Sequence, residues 1–155
     1  MKIKNGLILI CSVLVSCGVK TQNEEQKQTL MPIVGTWQLI SGTTIEKGDT
    51  VITYYTKNLS FIKIINDTHF AFLKHDLSKG KDSSAVFGSG GGSYSLVDSL
   101  YTEHLEYCSD REWEGNDFEF TITIKNDTLI QSGIEKVEDA GIIRLNIEKY
   151  TRVKN

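Results

Sequence analysis

Short polar pairs recur between runs in which apolar and polar residues alternate, and this pattern most narrows the folds open to the chain. Asn66-Asp67, Asp98-Ser99 and Asn126-Asp127 each separate two β-branched or aromatic stretches. Asn and Asp tolerate positive φ, so such pairs suit tight two-residue hairpin turns. Three of them along one chain predict a meander of antiparallel hairpins. Between the turns, Phe118, Phe120, Ile122 and Ile124 alternate with Glu119, Thr121, Thr123 and Lys125, the mark of a half-buried strand. Ile143, Leu145 and Ile147 alternate with Arg144, Asn146 and Glu148 in the same way, and Phe70 and Phe72 with His69, Ala71 and Leu73. The alternation does not fix which face is inward.

Strands are predicted near 34–44, 50–56, 59–65, 69–75, 92–97, 100–107, 118–125, 128–133 and 142–152, with loops at 76–84 and 109–117. No window carries a helical period. Eight or nine short strands must hide their edges, and closure into a barrel removes them. The expected fold is therefore all-β: one small antiparallel up-and-down barrel over residues 33–153. The run Gly88-Ser89-Gly90-Gly91-Gly92 fits a bulge or a bend at a barrel corner, or else a flap over the mouth.

The first 32 residues read differently. Lys2 and Lys4 precede an apolar run from Leu7 to Val15 that is too short to span a bilayer as a stable helix. It ends in Leu14-Val15-Ser16-Cys17-Gly18, which resembles a lipobox. The resemblance implies a signal peptide over 1–16, cleavage before Cys17, and acyl chains of the palmitate type anchoring Cys17 to a membrane. Residues 21–29 contain no apolar side chain and cannot bury surface against the entropy of ordering, so 17–32 is read as a tether. No Asp follows Cys17, which by resemblance to bacterial sorting rules points to the outer membrane of the cell envelope.

Removing the leader takes two lysines with it, so 17 − 2 = 15 basic residues face 20 acidic ones, a net charge of −5. With no basic cluster, nucleic acid is not an expected partner. Cys11 and Cys17 fall in the leader, leaving Cys108 as the one thiol of the domain and excluding a disulfide within it. Cys108 reads as a small, partly buried hydrophobe.

At Ile33-Val34-Gly35-Thr36-Trp37 the chain resembles the lipocalin and related calycin families, whose first strand opens with Gly-x-Trp. The resemblance implies that Trp37 closes the bottom of the barrel, beside Gly35, and that a basic residue of the last strand, here Arg152, lies across it. More closely, the chain is similar to the lipocalin-like domains of small secreted bacterial lipoproteins. The similarity is carried by Asp67-Thr68-His69-Phe70, Gly92-Ser93-Tyr94 and Tyr101-Thr102-Glu103-His104. The domain departs from full lipocalins in being short, about 121 residues (153 − 32), without a long packed helix.

Tyr101, Glu103, Leu105 and Tyr107 share one strand face. If that face is inward, a carboxylate lies between two phenols, a polar patch that would orient a small amphipathic ligand. Tyr94, Tyr101, Glu103, Tyr107, Phe70 and Phe72 are the candidate ligand-binding residues. The alternative places Glu103 in solvent or in a satisfied structural network. His69 and His75 lie about 20 Å apart along one strand, too far to share a metal. His69 with His104 lacks the Cys or clustered Asp of a zinc site. No metal, cofactor or nucleophile–base motif is expected. The acidic loop of Asp110, Glu112, Glu114 and Asp117 lacks calcium-loop spacing.

The expected function is a membrane-anchored, non-enzymatic barrel binding a small, mostly apolar ligand. Two alternatives stand beside it. One is a structural or interaction lipoprotein whose barrel is filled by Phe61, Phe70, Phe72, Phe118 and Phe120. The other is a small barrel isomerase or cyclase using Glu103 and a Tyr as acid and base.

Overall fold

The computed structural model describes residues 33–154. The leader, Cys17 and the tether lie outside the described residues. Nine strands follow one another: β1 (Gly35–Glu46), β2 (Asp49–Tyr54), β3 (Leu59–Ile65), β4 (His69–Asp76), β5 (Phe87–Val97), β6 (Leu100–Cys108), β7 (Asp117–Lys125), β8 (Thr128–Val137) and β9 (Ile142–Arg152). A single 3-10 turn over Arg111–Trp113 interrupts the strand pattern. All pairings are antiparallel, and β1 closes the sheet by pairing with β9. The fold is an eight-stranded closed barrel with one extra strand.

The extra strand is β2. One edge of the long β1 pairs with β9 over most of its length. Its other edge is shared: Gly35 to Gln38 pair with β3, and Ser41 to Glu46 pair with β2. The upper wall of the barrel is thus a β1–β2 hairpin standing where β3 would otherwise continue.

The hairpin turns follow the residue chemistry. Asn126 and Asp127 both hold positive φ (48° and 59°) between the paired Lys125 and Thr128, the geometry that matches strand twist. Asp98, φ 54°, opens the turn between Val97 and Leu100. The Asn66-Asp67 turn is wider, with four residues, Asn66 to His69, between the paired Ile65 and Phe70. There the Asn66 side-chain carbonyl accepts the backbone N–H of Thr68 at 2.9 Å and of His69 at 2.7 Å, an Asx turn.

The glycine run lies inside β5, not in a flap, and marks a bulge. Gly92 pairs with Leu105 and Gly91 with Tyr107, so Glu106 is the extra residue on β6. The backbones approach so closely that a Cβ on Gly92 would fall 1.9 Å from the His104 carbonyl oxygen. The extra residue is held rather than loose, because Glu106 Oε1 accepts the N–H (2.9 Å) and the hydroxyl (2.7 Å) of Ser93.

The core fills one end of the barrel. Trp37, Leu39, Ile65, Phe70, Tyr101, Ile122, Leu129 and Tyr150 are buried there. Trp37 donates its indole N–H to the Ile33 carbonyl at 2.7 Å, and Arg152 lies over the Trp37 ring at 4.0 Å. Gly35, Trp37 and Arg152 therefore meet at the closed end; Arg152 Nη1 sits 2.4 Å from where a Gly35 Cβ would be. At the opposite end the loops 77–86, 109–116 and 138–141 surround an opening.

On β8 and β9 the buried face carries polar side chains between the apolar Leu129, Val137 and Tyr150. Ile130, Ile134 and Ile143 are exposed, whereas Gln131, Glu135 and Asn146 are buried. The half-buried alternation is real, but half of this barrel's interior is not an apolar core, so the apolar set turns outward.

Candidate functional site

The open half of the barrel holds a cavity of about 460 Å³. Its walls combine aromatic faces from Tyr55, Phe61, Phe72, Trp113 and Phe118 with charged side chains from β3, β4, β6, β8 and β9; Lys74 of β4 lies 6.0 Å from the Tyr55 ring. Phe61 and Phe72 stack at 5.6 Å between ring centroids, and Tyr55 meets Phe61 edge-on at 5.7 Å.

The floor is an ion pair. Lys63 faces inward because it shares a strand face with Phe61 and Ile65, and its neighbour across β1 is Trp37. Its Nζ donates to Glu103 Oε1 at 2.6 Å and to Gln131 Oε1 at 3.1 Å, and lies 4.0 Å from Glu148 Oε2. Both partners are buried, Lys63 2% exposed and Glu103 6%. Burial works against the Lys63 charge, but Glu103 and Glu148 together outweigh it and raise its pKa. Burial pushes the Glu103 pKa up against the pull of Lys63. With Lys63 held protonated 2.6 Å away, the contact is an ion pair.

A polar seam rises from this floor along β8 and β9, where successive inward positions form cross-strand pairs. Gln131 pairs with Glu148 and Glu135 with Arg144. Tyr150 donates its hydroxyl to Glu148 Oε2 at 2.6 Å. Glu135 accepts Asn146 Nδ2 at 2.7 Å and Arg144 Nε at 2.6 Å. The Arg144 guanidinium reaches 5.1 Å from the Trp113 ring, so a stacked cation stands at the mouth. Burial raises the pKa of Glu135, with Arg144 opposing.

The expected ligand-binding residues separate. Glu103 and Phe72 line the cavity. Phe70 and Tyr101 lie in the core beneath it. The Tyr101 hydroxyl is buried beside Glu103 without a hydrogen bond of good geometry, and burial raises its pKa far above that of an ordinary phenol. Tyr94 sits at the closed end, its hydroxyl donating to the Asn66 carbonyl at 2.8 Å and its ring 5.2 Å from that of Tyr101. Tyr107 is 68% exposed. The Glu106 bulge slips the register by one, which turns Tyr107 out and Cys108 in toward the mouth.

Lys63, Gln131, Glu135, Arg144 and Glu148 were not among the expected site residues. A signal for Lys63 exists, since it is the one charge on the Leu59-Phe61-Lys63-Ile65 face. No such signal marks the β8–β9 set, whose pattern reads equally well with either face inward.

His69 and His104 stand on the outer wall, separated by Ser93 across β5, and His104 Nδ1 meets Asp117 Oδ1 at 2.8 Å. Among the described residues no three His, Cys, Asp or Glu side chains cluster as a metal site. Comparison with protein-family models and with curated proteins finds no match for this chain.

Proposed function

We propose that the chain is an envelope lipoprotein, lipidated at Cys17 and held through that lipid in the outer membrane, whose lipocalin-like barrel binds a small amphipathic molecule without transforming it. The observation that carries the binding reading is the cavity of about 460 Å³, within the range of ligand pockets, in which aromatic walls meet a few fixed polar groups. The charged floor shifts the expected ligand from mostly apolar to amphipathic: a wholly apolar molecule would leave the polar seam dry and unpaired. The filled-barrel alternative loses support because Phe61, Phe72 and Phe118 stand as walls around the cavity and leave it open. An acid–base role for Glu103 is disfavoured by its pairing with Lys63 and by the position of Tyr101 beneath the floor.

The test is native mass spectrometry of the full chain, extracted in detergent from its own cells. A retained small molecule, on a protein carrying a lipid at Cys17, is the expected result. A protein that is consistently empty and takes up no added amphiphile would overturn the binding reading. A Cys17→Ala chain that still partitions with membranes would overturn the anchoring reading.

A further inference from the structure

Resting on that binding reading, we infer that the ligand is a small organic amine, its protonated nitrogen held by Glu148. Within the barrel, Glu103, Glu135 and Glu148 share the cavity with Lys63, Lys74 and Arg144, of which Lys74 turns to the Tyr55 ring at 6.0 Å and not to a carboxylate. Lys63 is taken by Glu103 at 2.6 Å, and Arg144 by Glu135 at 2.6 Å. Glu148 is left over: its nearest cation, Lys63, is 4.0 Å away. Both recorded contacts of Glu148, with Tyr150 and Lys63, are made by Oε2. Among the described residues no donor reaches Oε1, although the side chain lines the cavity and is only 15% exposed.

The space beside Glu148 is shaped for a cation. Its partner across β1 is Gly42, which adds no side chain to the cavity at that level. The Tyr55 ring passes over that position, 3.5 Å from where a Gly42 Cβ would stand. A carboxylate oxygen without a donor and an aromatic face therefore border one small volume. Together these groups recognise an ammonium, through a charge-assisted hydrogen bond and a cation–π contact. Phe61 and Phe72 then enclose the apolar body of the molecule. An anionic head at that position would instead be repelled by Glu148, and a neutral one would leave Glu148 uncompensated.

The test is calorimetric titration of the full chain in detergent with three probes of one length: n-octylamine, n-octanol and octanoate. The amine is expected to bind at least about tenfold more tightly than the alcohol, and the carboxylate most weakly. Glu148→Gln should remove the amine's advantage and leave alcohol binding unchanged, with the melting temperature reporting that the variant is folded. The ranking of the three probes on the unmodified protein needs no variant. Octanol or octanoate binding as tightly as the amine overturns the amine assignment and leaves the binding reading in place. Failure of all three to bind overturns both.

Discussion

The Arg152 guanidinium lies 4.0 Å from the centre of the Trp37 ring, and its Nη1 donates to the Val34 carbonyl at 2.7 Å. First and last strands are thereby joined by a contact as well as by their ladder. A guanidinium on an indole contributes about 0.5–2 kcal/mol, and the hydrogen bond roughly 1 kcal/mol more. Arg152→Ala is expected to lower stability by about 1–3 kcal/mol, read as a fall in melting temperature of several degrees. Gly35→Ala should also destabilise, because its Cβ would meet Arg152 Nη1 at 2.4 Å and its φ of +145° strains an L residue. An unchanged melting temperature in both variants would remove this contact from the account of barrel closure.

Breaking the floor pair should cost more than removing it. Lys63→Met leaves Glu103 buried without its cation and is expected to cost about 3–5 kcal/mol. Adding Glu103→Leu to that variant should recover much of the loss, since an apolar pair of similar size carries no desolvation penalty. Denaturant melts of the two single variants and the double variant give the coupling directly. The pKa of Lys63 is raised above 10.5, so the stability it contributes is present below that pH and is lost as pH climbs through the folded value.

The bulge makes opposite predictions for two tyrosines on one strand. Tyr101→Ala should cost about 3–5 kcal/mol as a buried aromatic, whereas Tyr107→Ser should stay within roughly 0.5 kcal/mol. Gly92→Ala forces a methyl against the His104 carbonyl and is expected to cost about 3 kcal/mol or more. Equal losses at Tyr101 and Tyr107 would mean that the register does not slip at Glu106.

Acid should loosen one loop before the barrel. Asp76 accepts hydrogen bonds from Ser78 Oγ (2.5 Å), Gly80 N (2.8 Å) and Val86 N (3.0 Å), which hold its pKa well below the ordinary 3.8. A depressed folded pKa means that its stabilisation is present above pH 3.8 and fades as pH falls below it. Hydrogen exchange of residues 77–86 should therefore accelerate below about pH 4, ahead of the strands, and Asp76→Asn should weaken that dependence, leaving the part carried by Asp82, which accepts the Ser84 N–H at 2.9 Å and whose pKa is likewise lowered. Protection of the loop equal at pH 7 and pH 3 would contradict it.

Much of the architecture was legible in the chain itself. Alternation located all nine strands to within a few residues, except that β5 begins at Phe87, ahead of its glycines, and β8 runs on to Val137. The closing pair of Trp37 and Arg152 was legible through the resemblance of Gly35-Thr36-Trp37 to a Gly-x-Trp opening, with Arg152 at the other end of the domain. What alternation cannot supply is the sign of a face. In β7 the phenylalanines settle it, because four large apolar side chains outweigh Glu119 and Lys125. In β9 three aliphatic residues oppose three polar ones, and the decision falls to partners on other strands: Lys63 and Gln131 for Glu148, Glu135 for Arg144. A single inserted residue, Glu106, likewise reassigned Tyr107 and Cys108, and only the strand opposite reveals such an insertion.

Dividing the barrel along its axis, with closure at one end and the polar seam at the other, separates what keeps the chain folded from what it can hold. The hydrophobic plug around Trp37 and Tyr150 does not depend on which side chains stand at Glu135, Arg144 or Tyr55. Those positions can be rewritten for a differently charged guest while the same scaffold persists, so close relatives of this domain are expected to diverge in cargo sooner than in shape.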